Sequence, residues 1–173
     1  MNFPSWLCSI FVWTFIFEVE LSTESVLADV MAHPNWKLLD RETCGTSNSD
    51  RIIGGKNASL GAYPWIAQIG YITDSNPKLI YRCGATLISK FYVITAAHCV
   101  AELPATLTVV RVRLGEHNSD TNPDCENGYC AEPVQDFKPE NIIAHKDYNK
   151  TPFKDDIAII RLNEPVVFNG KRK

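Results

Sequence analysis

Leu107-Thr108-Val109-Val110-Arg111-Val112-Arg113-Leu114 sets Val110, Val112 and Leu114 on one side of an extended chain and Arg111 and Arg113 on the other. A period of two is that of a strand, so one face can meet a core while the guanidinium groups face water. Working outward, the chain after Arg51 is made of similar short runs bounded by turn residues: Trp65 to Ile72, Leu79 to Cys83, Ala85 to Ile88, Tyr92 to Thr95, Asn141 to Ala144 and Ile157 to Leu162. Together they predict an all-β fold. The last run is Ile-rich on both faces, as expected of a barrel strand covered on both sides. Ala96 to Val100 alone reads as a helical turn, and it follows a strand directly. There are no repeats and no heptads.

The composition is ordinary for a globular protein: 173 residues, 45% hydrophobic and 21% charged, with a formal net charge of -3. Disorder, collagen and coiled coil are excluded. With 17 Lys+Arg against 20 Asp+Glu, and no basic run longer than Lys171-Arg172-Lys173, neither nucleic acid nor a membrane surface is an expected partner. The length suits one domain or a portion of something larger, and the motifs favour the portion.

Trp6 to Phe17 is apolar except for Ser9 and Thr14, and its 12 residues are too few to span a bilayer, which needs about 20. It reads as the core of a signal peptide, although no Lys or Arg precedes it; the competing reading is a buried strand. Val26 and Ala28 offer small residues for a cleavage before Asp29, giving a signal-like segment over 1–28. Residues 29–51 are polar and irregular, a propeptide or linker without a core of its own. A secreted, extracellular chain makes the cysteines disulfide candidates.

Three constellations carry chemistry. In Asp50-Arg51-Ile52-Ile53-Gly54-Gly55, a trypsin-like enzyme could cut after Arg51, which would leave an α-ammonium on Ile52 that an aspartate can bury. In Ile94-Thr95-Ala96-Ala97-His98-Cys99, small residues leave room for an imidazole that titrates near neutrality and can pass a proton between nucleophile and leaving group. In Asp155-Asp156-Ile157-Ala158-Ile159-Ile160-Arg161-Leu162, a carboxylate at the mouth of an apolar strand could orient His98. Each segment alone also admits a bland reading: a solvated Arg, a structural His, a surface Asp.

In this order the three segments resemble the activation site, histidine box and aspartate box of the trypsin-like (chymotrypsin-fold) serine peptidases. The resemblance covers residues 44–173. It implies that 52–173 form a partial peptidase domain, the first six-stranded antiparallel β-barrel of a two-barrel fold with the second barrel missing. His98 is then the general base, Asp156 its orienting partner, and Arg51-Ile52 the bond cut by an upstream activating protease. Ser89 and the other hydroxyls are not nucleophile candidates. Cys83 and Cys99 match the family bridge that staples the histidine loop to its neighbouring strand; closing a loop of about 15 residues is worth roughly 3 kcal/mol. Cys125 and Cys130, five apart, can close a small loop by themselves. Cys44 has no partner here; in the resembling zymogens the propeptide cysteine pairs with one in the segment joining the two barrels.

The Cys125-Cys130 loop, Arg113-Leu114-Gly115-Glu116-His117-Asn118 and the tether His33-Pro34-Asn35-Trp36-Lys37-Leu38-Leu39 are similar to the arthropod clip-domain subgroup, although the six-cysteine clip module is absent. Glu116, Asn118, Thr121 and Asp124 offer hard oxygen ligands, and similarly placed residues bind calcium in that subgroup. A polar loop without an ion is the equal alternative, and no cofactor is otherwise required. Asn57-Ala58-Ser59 and Asn149-Lys150-Thr151 are sequons. His145 matches the family pattern without a catalytic duty and is read as structural.

The sequence contains no Gly-Asp-Ser-Gly-Gly. The expectation is therefore a secreted serine endopeptidase zymogen acting on protein substrates, present as a portion that lacks the nucleophile, the oxyanion hole and the specificity pocket, and so inactive as it stands. The alternative is a non-catalytic truncated homologue that acts as a binding or decoy protein. A single barrel exposes the face meant for its twin, so poor solubility or low stability is expected of isolated 52–173.

Overall fold

A computed structural model describes residues 27–39, 44–45, 58–149 and 154–168. The amino-terminal unit, 1–39, and the unit from residue 40 onward are separate compact bodies. In the first, residues 27–32 are helical and Pro34–Leu38 form a 3-10 turn, so the tether has more local order than its polar composition implies. Proline begins that turn, and His33 Nδ1 accepts the N–H of Asn35 at 3.1 Å. No residue of the turn is buried. The apolar run 6–17 lies outside the described residues, whereas Ala28 and Asp29, the proposed cleavage point, lie within the 27–32 helix.

The second unit is all β. Its strands are β1 (Ile66–Thr73), β2 (Asn76–Ser89), β3 (Tyr92–Thr95), β4 (Leu107–Leu114), β5 (Cys125–Glu126), β6 (Tyr129–Cys130), β7 (Gln135–Phe137), β8 (Pro139–Ala144) and β9 (Ala158–Leu162). Seven of them form an antiparallel sheet in the order β7-β4-β1-β2-β3-β9-β8, while β5 and β6 pair as a small hairpin. The two outer strands of that order, β7 and β8, are separated in sequence by Lys138 alone. One bent segment therefore pairs with β4 at one end and β9 at the other, which curls the sheet into a barrel of six chain segments. Register shifts at Ile69/Gly70 in β1 and Leu87/Ser89 in β2 supply local bends.

Leu79 to Ile88 is not two strands but part of the 14-residue β2. Gly84 does not interrupt it, because a glycine without a turn partner can remain extended, and it sits opposite Gln68 in the ladder. Inward-facing Ile69, Tyr71, Val93, Val112, Leu114, Ile160 and Leu162 fill the interior. Each such side chain contributes about 1.5–3 kcal/mol when fully buried. β9 is fully covered on one side and partly on the other: Ala158, Ile160 and Leu162 are buried, Ile159 is half-buried, and Arg161 is exposed, paired with Glu140 at 2.5 Å and lying over the Phe91 ring.

The arginines of β4 do not simply face water. Arg113 stands opposite Asp136 of β7 and bonds it through Nε at 2.8 Å and Nη2 at 2.9 Å, and Arg111 Nη1 reaches the same carboxylate at 3.1 Å. This bidentate pairing holds the Asp136 carboxyl below the usual carboxylate range, overcoming the opposite effect of partial burial. Among the described residues no helix is long and apolar enough to cross a membrane.

Candidate functional site

β3 runs out of the core at Thr95, whose hydroxyl donates to the Gly84 carbonyl at 2.8 Å. The chain then makes a 3-10 turn, Ala97–Cys99, shorter than the helical turn expected over Ala96 to Val100. Three attachments fix this turn. Ala97 is wholly buried, where a larger side chain would not fit without movement. Cys99 is bonded to Cys83 of β2 across a Cα–Cα distance of 6.1 Å. The buried Tyr71 hydroxyl donates to the Cys99 carbonyl at 2.7 Å. His98, between these anchors, turns its ring outward, with 61% of the side chain exposed.

Asp156 arrives from the start of β9. Asp155, at φ 57, takes the left-handed conformation that short polar side chains tolerate, and its carbonyl accepts the Ile157 N–H at 2.8 Å. This kink delivers the next carboxylate to the histidine. Asp156 Oδ2 lies 2.7 Å from His98 Nδ1, and Oδ1 accepts the His98 backbone N–H at 2.9 Å. These bonds, the ring contact foremost, hold the Asp156 carboxyl below its ordinary range. An ionised carboxylate facing Nδ1 puts the ring proton there, which leaves the Nε2 lone pair for an incoming acid. The two segments whose union the sequence reading required are thus in hydrogen-bond contact.

The neighbouring carboxylate does something else. Asp155 Oδ1 lies 3.8 Å from His145 Nδ1, which also accepts the Asp147 N–H at 3.2 Å, while the His145 N–H donates to the Ile157 carbonyl at 2.9 Å. His145 ties the β8–β9 connection together and does not touch His98, consistent with a structural role.

Cys125 and Cys130 are bonded across the β5–β6 hairpin, at a Cα–Cα distance of 4.0 Å. The four oxygen-bearing residues of the preceding loop line one polar hollow with the 58–64 segment. Asp124, however, is committed within the loop: Oδ2 accepts the N–H groups of His117 and Asn118 at 2.9 and 3.0 Å, and Oδ1 accepts the Thr121 hydroxyl at 2.5 Å. Its carboxyl is lowered chiefly by the Thr121 bond. Glu116 is different. Its Oε2 accepts from Arg113 at 3.3 Å, but its buried Oε1 has no hydrogen-bond partner among the described residues. The sequence reading missed Glu126, which lines the same hollow and whose Oε2 accepts the Leu60 N–H at 2.6 Å. Its only signal was its place beside Cys125.

Cys44 is exposed and, among the described residues, bonded to no other cysteine. Arg51, Ile52 and Asn57 lie outside the described residues, as do Lys150 and Thr151 of the second sequon.

Comparison with known proteins supplies the remaining frame. The trypsin family model matches residues 52–172. CLIP domain-containing serine protease HP8 of Bombyx mori is 40% identical over 146 residues, which are 82% of this chain and 39% of that protein. Melanization protease 1 of Drosophila melanogaster is 40% identical over 133 residues, 73% of this chain and 33% of that protein. Among solved structures, the Drosophila Grass clip serine protease of the Toll pathway superposes with a TM-score of 0.67 at 33% identity, over 78% of this chain and 38% of its own. The chain therefore spans well under half the length of the relatives it matches.

Proposed function

Because this chain belongs to the trypsin family of serine proteases, with insect clip-domain proteases among its relatives, we propose that it is the amino-terminal portion of a secreted serine endopeptidase zymogen. The observation that carries the reading is the double hold of Asp156 on His98. In that role His98 Nε2 takes the proton of a serine hydroxyl as it attacks the scissile carbonyl and returns it to the leaving amine. Asp156 keeps the ring in the required tautomer and stabilises the imidazolium, without itself being protonated. The serine, the oxyanion donors and the pocket that selects the substrate side chain belong to the portion of the enzyme beyond this sequence. Cleavage after Arg51 by an arginine-specific protease would switch the zymogen on. Two disulfides suit an oxidising, extracellular setting. Relatives named for melanization and for the Toll pathway support a place in a proteolytic cascade with protein substrates.

The polar hollow fits calcium in part. Glu116, through its unsatisfied Oε1, and Glu126, which both line the hollow, would hold the ion, with Asp124 shaping the loop from within. Calcium would brace the loop and supply no chemistry to the reaction.

The test is to read the coding sequence past Lys173, express the whole product, cleave it at Arg51 and add a fluorophosphonate. An in-frame Gly-Asp-Ser-Gly-Gly and labelling that depends on cleavage support the reading. A product without either supports a non-catalytic binding protein instead.

A further inference from the structure

Across the β1–β2 ladder Ile69 pairs with Cys83 and Gly70 with Tyr81, which leaves Arg82 without an opposite residue. A bulge of this kind re-aims the side chain of its extra residue. Arg82 is exposed, and Cys83 beside it is bonded to Cys99, the residue after His98. We propose that Arg82 is a specificity-determining residue, which selects protein substrates carrying a carboxylate side chain within about three residues of the scissile bond.

The covalent frame bounds the distance. The Cα atoms of Cys83 and Cys99 are 6.1 Å apart and consecutive Cα atoms about 3.8 Å, so the Cα atoms of Arg82 and His98 stand no more than about 14 Å from one another. An arginine side chain directed towards the turn shortens that gap, and an extended substrate advances about 3.3 Å per residue. The charge of Arg82 is also felt at the turn. Burial raises the pKa of the Tyr71 hydroxyl and the Arg82 guanidinium acts against that rise, and the same hydroxyl donates to the Cys99 carbonyl at 2.7 Å.

The other strand arginines are committed within the fold: Arg111 and Arg113 pair with Asp136, and Arg161 pairs with Glu140. Arg82 forms no ion pair among the described residues. Its planar fork is therefore available to take both oxygens of a substrate carboxylate. A glutamine of the same shape brings no charge to that fork, and a lysine is repelled, so the selection is by sign of charge. The proposal rests on the protease reading for its substrate, whereas the preference of Arg82 for a carboxylate belongs to the surface of this chain and is measurable without turnover.

The test gives the proposed full-length enzyme, activated at Arg51, a peptide library in which Glu, Gln or Lys occupies each position in turn, with the cut bond located by mass spectrometry. At a position near that bond, kcat/KM for Glu is expected to exceed that for Gln about tenfold, and the ratio should shrink towards one at about 1 M salt. Arg82→Gln should bring the ratio to about one, and Arg82→Glu should turn the preference towards Lys. A ratio of one at every position in the parent, or a ratio that Arg82→Glu leaves unchanged, would overturn the proposal. Turnover of no peptide would count against the protease reading, and anisotropy of the same peptides, labelled and bound to this chain, then decides for Arg82. Tighter binding of a Glu peptide than of its Gln counterpart, reversed in Arg82→Glu, supports the proposal, and equal binding of the two overturns it.

Discussion

Asp156 accepts from His98 twice, from ring Nδ1 at 2.7 Å and from the backbone N–H at 2.9 Å, so one carboxylate fixes both the ring and the turn that carries it. Because these bonds lower the folded-state carboxyl below its unfolded value, the unfolded chain binds more protons in acid and stability rises with pH through that range. The contribution is complete above the unfolded carboxyl pKa, about 3.9, and disappears as pH falls through the lowered folded value. Denaturant unfolding from pH 2 to 7 should show Asp156→Asn less stable than the parent at neutral pH, with the gap closing in acid. A gap independent of pH would exclude the linkage.

Tyr71 supports the site from below. Tyr71→Phe leaves the Cys99 carbonyl without its donor in a buried setting, and a loss of about 1–3 kcal/mol in urea unfolding is expected.

Asp136 closes the barrel at β4 and β7. Asp136→Ala abandons Arg113, which is largely covered, and should cost about 1.5–3 kcal/mol, whereas replacing both by apolar residues of similar shape should recover much of the loss. Equal destabilisation by the single and double changes would show that the unpaired Arg113 carries no burial penalty.

Calcium, if held at the hollow, should raise the melting temperature through mass action. At a hundredfold excess over Kd the gain is about 2.7 kcal/mol, and Glu116→Gln should abolish it while Asp124→Asn destabilises the loop with or without the ion. A calcium-independent melting temperature in the parent chain removes the ion from the account.

The period-two pattern of Leu107 to Leu114 located β4 to the residue, since one buried face leaves a strong signature. The same rule failed for Gln135–Phe137, where three residues around a charged Asp136 show no alternation and the strand exists because it faces Arg113. Between adjacent Asp155 and Asp156, local chemistry offered no choice; the family resemblance pointed to the second, and a left-handed φ at the first explains how it turns towards His98. The loop carboxylates were legible as oxygen donors but not as a division of labour, because whether Asp124 meets N–H groups or a cation depends on loop closure.

The most direct test takes the proposed full-length enzyme, activates it at Arg51 and compares kcat/KM for an amide substrate with and without His98→Ala. A fall of roughly 10⁴-fold or more, with substrate affinity little changed, is the result expected of a general base. Activity retained within tenfold would mean that His98 and Asp156, though bonded, do not move the proton.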